Sequence, residues 1–371
     1  MMALDGKTVG LALSGGGFRA SLFGLGSLCR LNDAGLLGKL DRMSSVSGGS
    51  ILMGILAHRW RELQFDNGRA SNFAQLVAEP LRVFCAKTID IGAGIAGLLV
   101  PFKTAGDFLA DRYEKDLFGD TLMKDLPVAD GNGNPKFIFC ATNLQTGRSL
   151  RFRQDMIADY MLGISRTTNV PLAVAVAASS AFPPIFSPIV LKTDPAAWTD
   201  GCDLPNLAVA ALRKRIVLAD GGVYDNMGLE SLIDNVDITL VSDAGAPFEI
   251  DEKPAEDHVL QLGRVRDILI DQTRALRKRW LIAEFKAGRK RGAYWGIGTQ
   301  MAAYGSTPRM TGDSAVSEAL EHVPTRLSSL DAERQGHLIN WAYALCDVSL
   351  RSRVGLQLPM AASWPVPQWP L

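Results

Sequence analysis

The sequence has little of several residues and patterns that identify whole classes of protein. Among its 371 residues there are only four histidines and five cysteines. The cysteines are odd in number and scattered, without the paired spacing of a metal site or a disulfide framework. We therefore expect reduced, mostly buried thiols of a cytoplasmic protein at these positions: Cys29, Cys85, Cys140, Cys202 and Cys346.

An excess of charge and a long apolar run are also absent. The 39 basic side chains equal the 39 acidic ones, so the sequence lacks the basic footprint of a nucleic-acid-binding protein. No apolar run reaches the roughly 18 residues of a membrane-spanning helix, and the amino-terminal segment lacks the pattern of a secretory signal. These absences argue against nucleic acid as a partner and favour a cytoplasmic protein.

Predicted strands and helices alternate along the chain, which is typical of an α/β sandwich with a largely parallel, buried sheet. The predicted strands are 9–14, 40–45, 137–142, 150–153, 216–219 and 238–242, and the predicted helices are 19–34, 48–60, 170–180, 261–287 and 322–348. There are no internal repeats and no long linker, so we expect one domain over 1–371. It divides into a motif-bearing core at about 9–245, a helical part at about 260–348 and an irregular proline-rich tail at 361–371.

A glycine-rich loop, SGGGFR, separates the first predicted strand from the first predicted helix. Its glycines, Gly15 to Gly17, allow backbone N–H groups to converge on one point, and the start of the following helix adds positive potential. Such a loop binds an oxyanion or a phosphate. The dinucleotide fingerprint G-x-G-x-x-A is also satisfied, with Ala20 as its last residue, so the loop alone leaves both functions open.

A dinucleotide site needs more than this loop. It also requires an acidic residue about 20 positions further on, at the end of a second strand. Asp33 falls in or at the end of the first predicted helix, and Asp41 precedes its predicted strand. Neither aspartate is well placed, which disfavours an oxidoreductase.

The second motif, SSVSGGS, lies between a predicted strand and a predicted helix. In a nucleophile elbow the serine occupies a strained turn, and the residues two before and two after it must be small. Around Ser47 these residues are Ser45 and Gly49. Ser47 would then project from a helix amino terminus, where the Gly48 N–H and the helix dipole stabilise negative charge. An ordinary serine-rich helix cap has a similar composition.

The third motif, LADGGVYDN, places Asp220 directly after a predicted apolar strand. The carboxyl ends of strands are where α/β folds bind their ligands. Partial burial would raise the pKa of this carboxylate and make it a better proton acceptor. An aspartate that opens a common Asp-Gly turn is the alternative interpretation.

A histidine could complete a catalytic triad with these residues. His58 follows Ser47 by eleven positions on the same predicted helix, about 16 Å along the axis, so it cannot be the base. His258 gives the chain order Ser, Asp, His of the α/β-hydrolases, but it lies in a charged stretch that is typical of a solvated loop. His322 and His337 are expected at the surface or in packing contacts.

Together the three motifs resemble those of the patatin-like phospholipase family. The family's G-G-G-x-R loop falls on 15–19, its G-x-S-x-G elbow on 45–49 with Ser45 in place of the first glycine, and its D-G-G/A motif on 220–222. Further similar stretches are ATNLQTGR, ASSAFPPIFSPI, VYDNMGLE and VPTRL. The resemblance extends from about residue 9 to about residue 345.

The resemblance implies a three-layer α/β/α sandwich and hydrolysis of acyl esters of phospholipids or other lipids. Ser47 would attack the ester carbonyl and Asp220 would accept its proton. Gly15, Gly16 and Gly17 would form the oxyanion hole, with Arg19 either supporting that loop or attracting an anionic headgroup. No metal or organic cofactor is implied, and the oligomeric state is left open.

Two other functions remain open at this point. One is a Ser-Asp-His esterase or thioesterase that uses His258. The other is a non-catalytic, lipid-binding regulatory module.

Two segments are candidates for contact with a lipid surface. Residues 89–102 are apolar and could form a lid or a membrane-dipping patch, although short apolar runs are usually core. Residues 274–291 are locally basic and carry Trp280 and Phe285, a composition that suits anionic headgroups as well as an ordinary charged helix face. A peripheral location at a membrane surface is therefore a second expectation beside the cytoplasm.

Overall fold

One large mixed sheet organises the chain. The computed structural model describes residues 6–89, 104–131, 133–202 and 209–371, except for the side chains of residues 258 and 259. Within these ranges eleven strands form the main sheet and two more form a small hairpin. The strands are β1 (Val9–Leu13), β2 (Arg42–Ser45), β3 (Phe65–Asp66), β4 (Arg69–Ala70), β5 (Lys136–Asn143), β6 (Arg148–Phe152), β7 (Ile157–Asp159), β8 (Gly163–Ser165), β9 (Ile189–Lys192), β10 (Trp198–Thr199), β11 (Arg215–Asp220), β12 (Ile238–Asp243) and β13 (Arg291–Gly296).

The centre of the sheet is parallel, in the order β5-β2-β1-β12-β13. These strands are almost wholly buried, as expected for parallel strands covered on both faces. Beyond β5 the pairing becomes antiparallel through β6, β7, β8 and β10. The sheet therefore has a parallel core and an antiparallel arm, and all six predicted strands are present in it.

Helices cover both faces of the sheet. They are α1 (Gly17–Asp33), α2 (Gly48–Arg59), α3 (Glu79–Cys85), α4 (Ala105–Tyr113), α5 (Leu172–Ser180), α6 (Val209–Lys214), α7 (Gly222–Asp225), α8 (His258–Lys286), α9 (Ala315–Leu320) and α10 (Ala332–Ser349). Alternate residues of β1 enter different clusters: Leu11 and Leu13 join the large core with α1 and α10, whereas Ala12 packs with Leu281 of α8. This period of two produces the predicted three layers.

The direction of β11 positions one of the candidate residues. Phe139 of β5 pairs with Ser45 on the edge shared with β2, and Ala141 pairs with Asp220 on that same edge. Since β11 is antiparallel to β5, β2 and β11 approach each other end to end. Their last residues are offset by two positions along β5, about 7 Å at the usual rise per residue. Asp220 thus reaches the turn after β2 from the opposite direction.

The last long helix is shorter than predicted. The expected start at His322 is wrong, because α10 begins at Ala332 with Asp331 as its cap, accepting a hydrogen bond from the Arg334 N–H at 2.8 Å. Pro324 lacks a backbone donor, and α9 and α10 are separated by a non-helical segment. His258, expected in a loop, is instead the first residue of α8.

Two other expectations bear on membranes. The predicted lid at 89–102 lies, apart from Ile89, outside the described residues. In the part of the chain that is described, no helix is both long and apolar enough to cross a bilayer.

Candidate active site

A cavity of about 570 Å³ opens where β1 and β2 end. All six predicted site residues line it: Gly15, Gly16, Gly17, Arg19, Ser47 and Asp220. Its volume lies in the range of cavities that hold small ligands. Segments separated by more than two hundred positions in the sequence, those of Gly15 and Asp220, therefore meet at this one place.

Ser47 occupies a strained turn between β2 and α2. Its φ of 53° and ψ of −122° lie outside the regions that non-glycine residues normally adopt. The turn fits only because the next two residues lack side chains. A Cβ on Gly48 would lie 1.9 Å from the Gly17 carbonyl oxygen, and one on Gly49 would lie 2.5 Å from that of Leu13. This is the steric pattern of a nucleophile elbow.

A group of serines holds the elbow from behind. The Ser47 N–H is directed at both the backbone and the side-chain oxygen of Ser179, at 3.0 and 3.1 Å. The Ser179 hydroxyl donates to the Cys140 carbonyl at 2.6 Å and lies 2.8 Å from the Ser50 hydroxyl, which in turn lies 2.7 Å from that of Ser45. Ser179 is a positioning residue that the sequence analysis missed, although it falls in a stretch noted as similar to the family.

Asp220 is buried at the end of β11, and only one of its two carboxylate oxygens accepts a hydrogen bond within the described residues. Its Oδ1 accepts a hydrogen bond from the Gly222 N–H at 2.7 Å. Its Oδ2 has no hydrogen-bond partner among the described residues. Burial raises the pKa of Asp220 to about 7, opposed by the Gly222 N–H and by the nearby Ser47 hydroxyl. A carboxylate with this pKa beside a serine can accept a proton near neutral pH.

The glycine loop offers two backbone donors to the cavity. Gly16 has a φ of 143° and Gly17 a φ of 59°, conformations that favour glycine. Neither N–H has an acceptor within the described residues. The Gly15 N–H, in contrast, donates to the Asn226 carbonyl at 2.9 Å. The Gly15 N–H is therefore already used within the protein, which leaves Gly16 and Gly17 as the candidate donors of the loop.

Asn226 is a second residue that the sequence analysis missed. A Cβ added to Gly15 would lie 2.3 Å from Asn226 Oδ1 and 3.0 Å from Ser47 Cβ. A Cβ added to Gly222 would lie 2.6 Å from the same amide oxygen and 3.0 Å from Asp220 Oδ1. The side-chain amide of Asn226 is thus packed between the two motifs. Its place in the VYDNMGLE stretch was visible in the sequence, but its contacts were not.

Arg19 is buried and supports the loop from behind. Its guanidinium donates to the Ala244 carbonyl at 2.9 Å, to the Val323 carbonyl and to the Thr325 hydroxyl at 2.8 Å. Burial lowers the pKa of Arg19 to about 10, and the Arg274 cation adds to this effect. Because these donors already have partners in the protein, the arrangement favours loop support over headgroup attraction.

The role of Arg19 can be tested by replacing its side chain. Arg19→Gln leaves buried carbonyls without donors, and Arg19→Lys keeps the charge without the planar fork. We expect both to lower the free energy of unfolding by about 2 kcal/mol or more and kcat by about tenfold. Urea unfolding and steady-state kinetics measure these effects, with exposed Arg279→Gln as the control. A change confined to KM for anionic lipids would instead identify a headgroup contact.

Among the histidines whose side chains the structure describes, one lies at the cavity. His322 lines it, with Nε2 3.7 Å from a carboxylate oxygen of Glu321, and it is largely exposed. The surface position expected for His322 is correct, but its proximity to the cavity was not expected. His58 lies elsewhere, with Nδ1 3.0 Å from the Thr121 hydroxyl, and His337 packs against Trp369.

Most basic side chains of the stretch 274–291 already contact other groups of the protein. Its ion pairs join Arg274 with Asp243, Arg277 with Asp225 and Glu230, Arg289 with Glu284, and Lys290 with Asp234. In addition, Lys278 lies over the Tyr294 ring. Few cations of this stretch remain for a lipid headgroup.

The sequence model of the patatin-like phospholipase family matches residues 11–233. This match covers more than half of the chain, from β1 past Asp220. The chain belongs to the patatin-like phospholipase family. Membership confirms the predicted family.

Solved structures of human GIVD cytosolic phospholipase A2 share the patatin-like fold. The complex with methyl gamma-linolenyl fluorophosphonate is 15% identical, with a TM-score of 0.52 over 94% of this chain and 58% of that chain. Another structure of the same human enzyme is 13% identical, with a TM-score of 0.53 over 94% of this chain and 59% of that one. This chain therefore spans less than two thirds of the length of these structures. No match was found among curated proteins.

Proposed function

We propose that this protein hydrolyses acyl esters of phospholipids or other lipids, with Ser47 as nucleophile and Asp220 as base. The observation that carries the proposal is the strained turn at Ser47 beside a buried carboxylate whose Oδ2 has no hydrogen-bond partner within the described residues. A free carboxylate oxygen is costly to bury. Its presence next to a serine hydroxyl is explained if that oxygen accepts the serine proton during the reaction.

The first half of the reaction forms an acyl-enzyme. Ser47 Oγ attacks the ester carbonyl carbon while its proton passes to Asp220, and the carbonyl electron pair moves onto the oxygen. Collapse of the tetrahedral oxyanion breaks the bond to the leaving alkoxide. That alkoxide takes the proton from Asp220 and departs as the alcohol.

The second half regenerates the serine. Water attacks the acyl group on Ser47 and gives its proton to Asp220, forming a second oxyanion. Collapse returns the proton to Ser47 Oγ and releases the fatty acid. The net reaction consumes one ester and one water and yields one acid and one alcohol.

Backbone donors stabilise the oxyanion in both halves. The Gly16 and Gly17 N–H groups lie at the amino terminus of α1, and the Gly48 N–H lies at that of α2. Each donor of this kind typically contributes about 2.7 to 4 kcal/mol to the transition state. A carboxylate is a weaker base than an imidazole, so we expect these donors to carry much of the catalysis.

The rest of the cavity suits a lipid. Its lining combines apolar side chains with arginines: Phe182, Phe186, Phe248, Ile270, Leu327, Arg264 and Arg266. The aromatic and aliphatic side chains can bury an acyl chain.

Fluorophosphonate labelling tests the proposed function. The related human enzyme was solved with such a compound, and we expect a serine-directed probe to attach to Ser47 here. The measurement is the mass of the labelled peptide, together with fatty-acid release from phospholipid. A protein that takes no label and releases no fatty acid is instead a lipid-binding module.

A triad that includes a histidine is the second candidate, because His322 lines the cavity and His258 has the chain order of the α/β-hydrolases. The variants His322→Asn and His258→Asn distinguish it from the dyad. We expect both to retain turnover. Loss of turnover in either variant, with an unaltered fold, would replace the dyad with a triad.

The pH profile should report the carboxylate base. Only ionised Asp220 accepts a proton, and burial raises its pKa to about 7. We expect kcat/KM to reach a plateau above about pH 7 and to fall about tenfold per pH unit below it. Hydrolysis of p-nitrophenyl butyrate between pH 5 and 9 measures this profile. A plateau that extends to pH 5 would contradict the raised pKa.

A further inference from the structure

A second buried carboxylate lies close to the cavity, at the end of β12. The Oδ1 of Asp243 accepts the Gly245 N–H at 2.8 Å, and its Oδ2 accepts the Tyr294 hydroxyl at 2.8 Å and Arg274 Nε at 3.0 Å. Burial by itself would raise the pKa of Asp243, but the Arg274 cation and these donors hold it below its ordinary value. Asp243 is therefore ionised at neutral pH and paired with Arg274.

The remaining donors of Arg274 bind the backbone that follows this aspartate. Its Nη1 donates to the Ala246 carbonyl at 2.7 Å, and its Nη2 donates to the Gly245 carbonyl at 3.0 Å. A Cβ added to Gly245 would lie 2.4 Å from the Arg274 Cζ, so the chain packs directly on the guanidinium. Replacing a buried ion pair by apolar side chains is often neutral for stability. Apolar side chains could not bond these carbonyls, however, so the pair specifically fixes residues 243–246 against α8.

The fixed segment packs against the glycine loop. The Ala244 N–H donates to the Ser14 hydroxyl at 2.8 Å, and that hydroxyl lies 3.2 Å from the Gly15 carbonyl, to which it donates. The Ala244 carbonyl accepts Arg19 Nε at 2.9 Å. A Cβ added to Gly16 would lie 2.9 Å from the same carbonyl oxygen. A displacement of Ala244 would therefore displace the loop.

We propose that Asp243 and Arg274 are positioning residues that keep the N–H groups of the glycine loop directed at the oxyanion. The proposal rests on the proposed function, because an oxyanion forms only if Ser47 attacks an ester. Both side chains act through residues 243–246 and need no contact with the substrate. An oxyanion donor is effective only within about 2.7 to 3.1 Å of the position that the oxyanion will occupy. A small displacement of the loop should therefore lower kcat and leave KM nearly unchanged.

Asp243→Asn tests the pair, and Asp347→Asn is the matched control. The Asp347 side chain is equally buried and accepts Arg30 Nε at 2.8 Å. Arg30 follows Gly17 by thirteen residues on α1, about 20 Å along the helix axis. We expect both variants to lower the urea midpoint of unfolding. Only Asp243→Asn should lower kcat on p-nitrophenyl butyrate, by at least tenfold, with KM within about twofold.

Arg274→Lys provides the test if Asp243→Asn fails to fold. The lysine keeps a positive charge beside Asp243 but loses the planar fork that also reaches the carbonyls of Gly245 and Ala246. We expect this variant to fold and to lower kcat about tenfold. Normal kcat in a folded Arg274→Lys would overturn the proposal.

A double-mutant cycle with Arg19→Gln tests the path through Ala244. Arg19 bonds the Ala244 carbonyl, and the Asp243–Arg274 pair holds the segment that carries it. Because both changes act on the same support, the double variant Arg19→Gln/Asp243→Asn should lose little more than the larger single effect on kcat. Independent contributions would multiply to about a hundredfold loss and would contradict this path.

Amide hydrogen exchange reports on the loop without any catalysis. We expect residues 14–20 to exchange at least tenfold faster in Asp243→Asn than in the parent, and at the parent rate in Asp347→Asn. Unchanged exchange and unchanged kcat in Asp243→Asn would overturn the proposal, as would an equal loss of kcat in Asp347→Asn. A parent without turnover or fluorophosphonate labelling, whose Asp243→Asn variant still shows the faster exchange, would refute the proposed function and leave the support of the loop standing.

Discussion

Asp220→Asn is expected to abolish turnover and to make the protein more stable at pH 8. The amide keeps the shape and can still accept the Gly222 N–H at the Oδ1 position. It cannot take the Ser47 proton, so we expect kcat to fall about 10⁴-fold, comparable with the loss of a triad member. Ser47→Ala should lose activity to a similar extent because it removes the nucleophile.

The gain in stability follows from the raised pKa of the buried carboxyl. The native pKa of about 7 exceeds the ordinary value of 3.8, so the native state holds its proton more tightly than the unfolded state. Stability is then lost as the pH rises from about 4 to about 7. Since one pKa unit corresponds to about 1.4 kcal/mol, Asp220→Asn should regain a few kcal/mol above pH 7 and progressively less toward pH 4.

Urea unfolding at pH 8 and pH 5 measures this gain. Ser47→Ala is the matched control, because it is equally inactive but keeps the buried carboxyl and should not be stabilised at pH 8. Normal turnover of Asp220→Asn would refute the base assignment. If Asp220→Asn changed the free energy of unfolding equally at both pH values, the buried charge of Asp220 would not be the cause of the gain.

Gly17→Ala is expected to disable the oxyanion loop. At its φ of 59° an alanine costs about 1–2 kcal/mol in any setting. Here the added Cβ would also lie 2.3 Å from the Arg326 carbonyl oxygen, which accepts the Phe18 N–H at 3.0 Å. Either the Arg326 carbonyl, with its hydrogen bond to the Phe18 N–H, or the Gly16–Gly17 peptide must move. We expect kcat to fall 10²- to 10³-fold, the usual effect of losing one oxyanion donor.

Gly119→Ala separates the cost of an alanine at positive φ from the loss of an oxyanion donor. Gly119 has a nearly identical φ of 55°, but nothing lies within 4 Å of the Cβ it would gain. It should show a backbone cost in urea unfolding, because its φ is also positive, and keep kcat within about twofold. Full activity of Gly17→Ala would mean that the loop is not the oxyanion hole.

The local parts of the fold and the candidate site could be predicted from the sequence. Around β1 and α1, and around β2 and α2, apolar periodicity and glycines specify a strand, a tight turn and a helix within a few residues. The elbow at Ser47 follows from small residues on either side of it. Asp220 could be placed at the end of a strand because it directly follows a short apolar run and precedes two glycines.

Contacts between distant segments could not be predicted in this way. Apolar alternation does not give the direction of β11, so its end-to-end approach to β2 was not expected. Gly15 was assigned as a donor because Asn226, more than two hundred positions away, could not be seen to accept its N–H. The late start of α10 depends on Pro324 and on the contacts of the residues around it, which also connect distant parts of the chain.

The support of the glycine loop has a consequence for synthesis. Arg19 bonds residues 304 and 306 positions later in the chain, and the Gly17 turn packs on Arg326. A growing polypeptide that has left the ribosome only as far as residue 233 therefore carries the glycine loop, the Ser47 elbow and Asp220, but lacks the residues that support the glycine loop. Hydrolytic competence should arise late in translation, after residue 326 has emerged and folded back onto the amino-terminal turn.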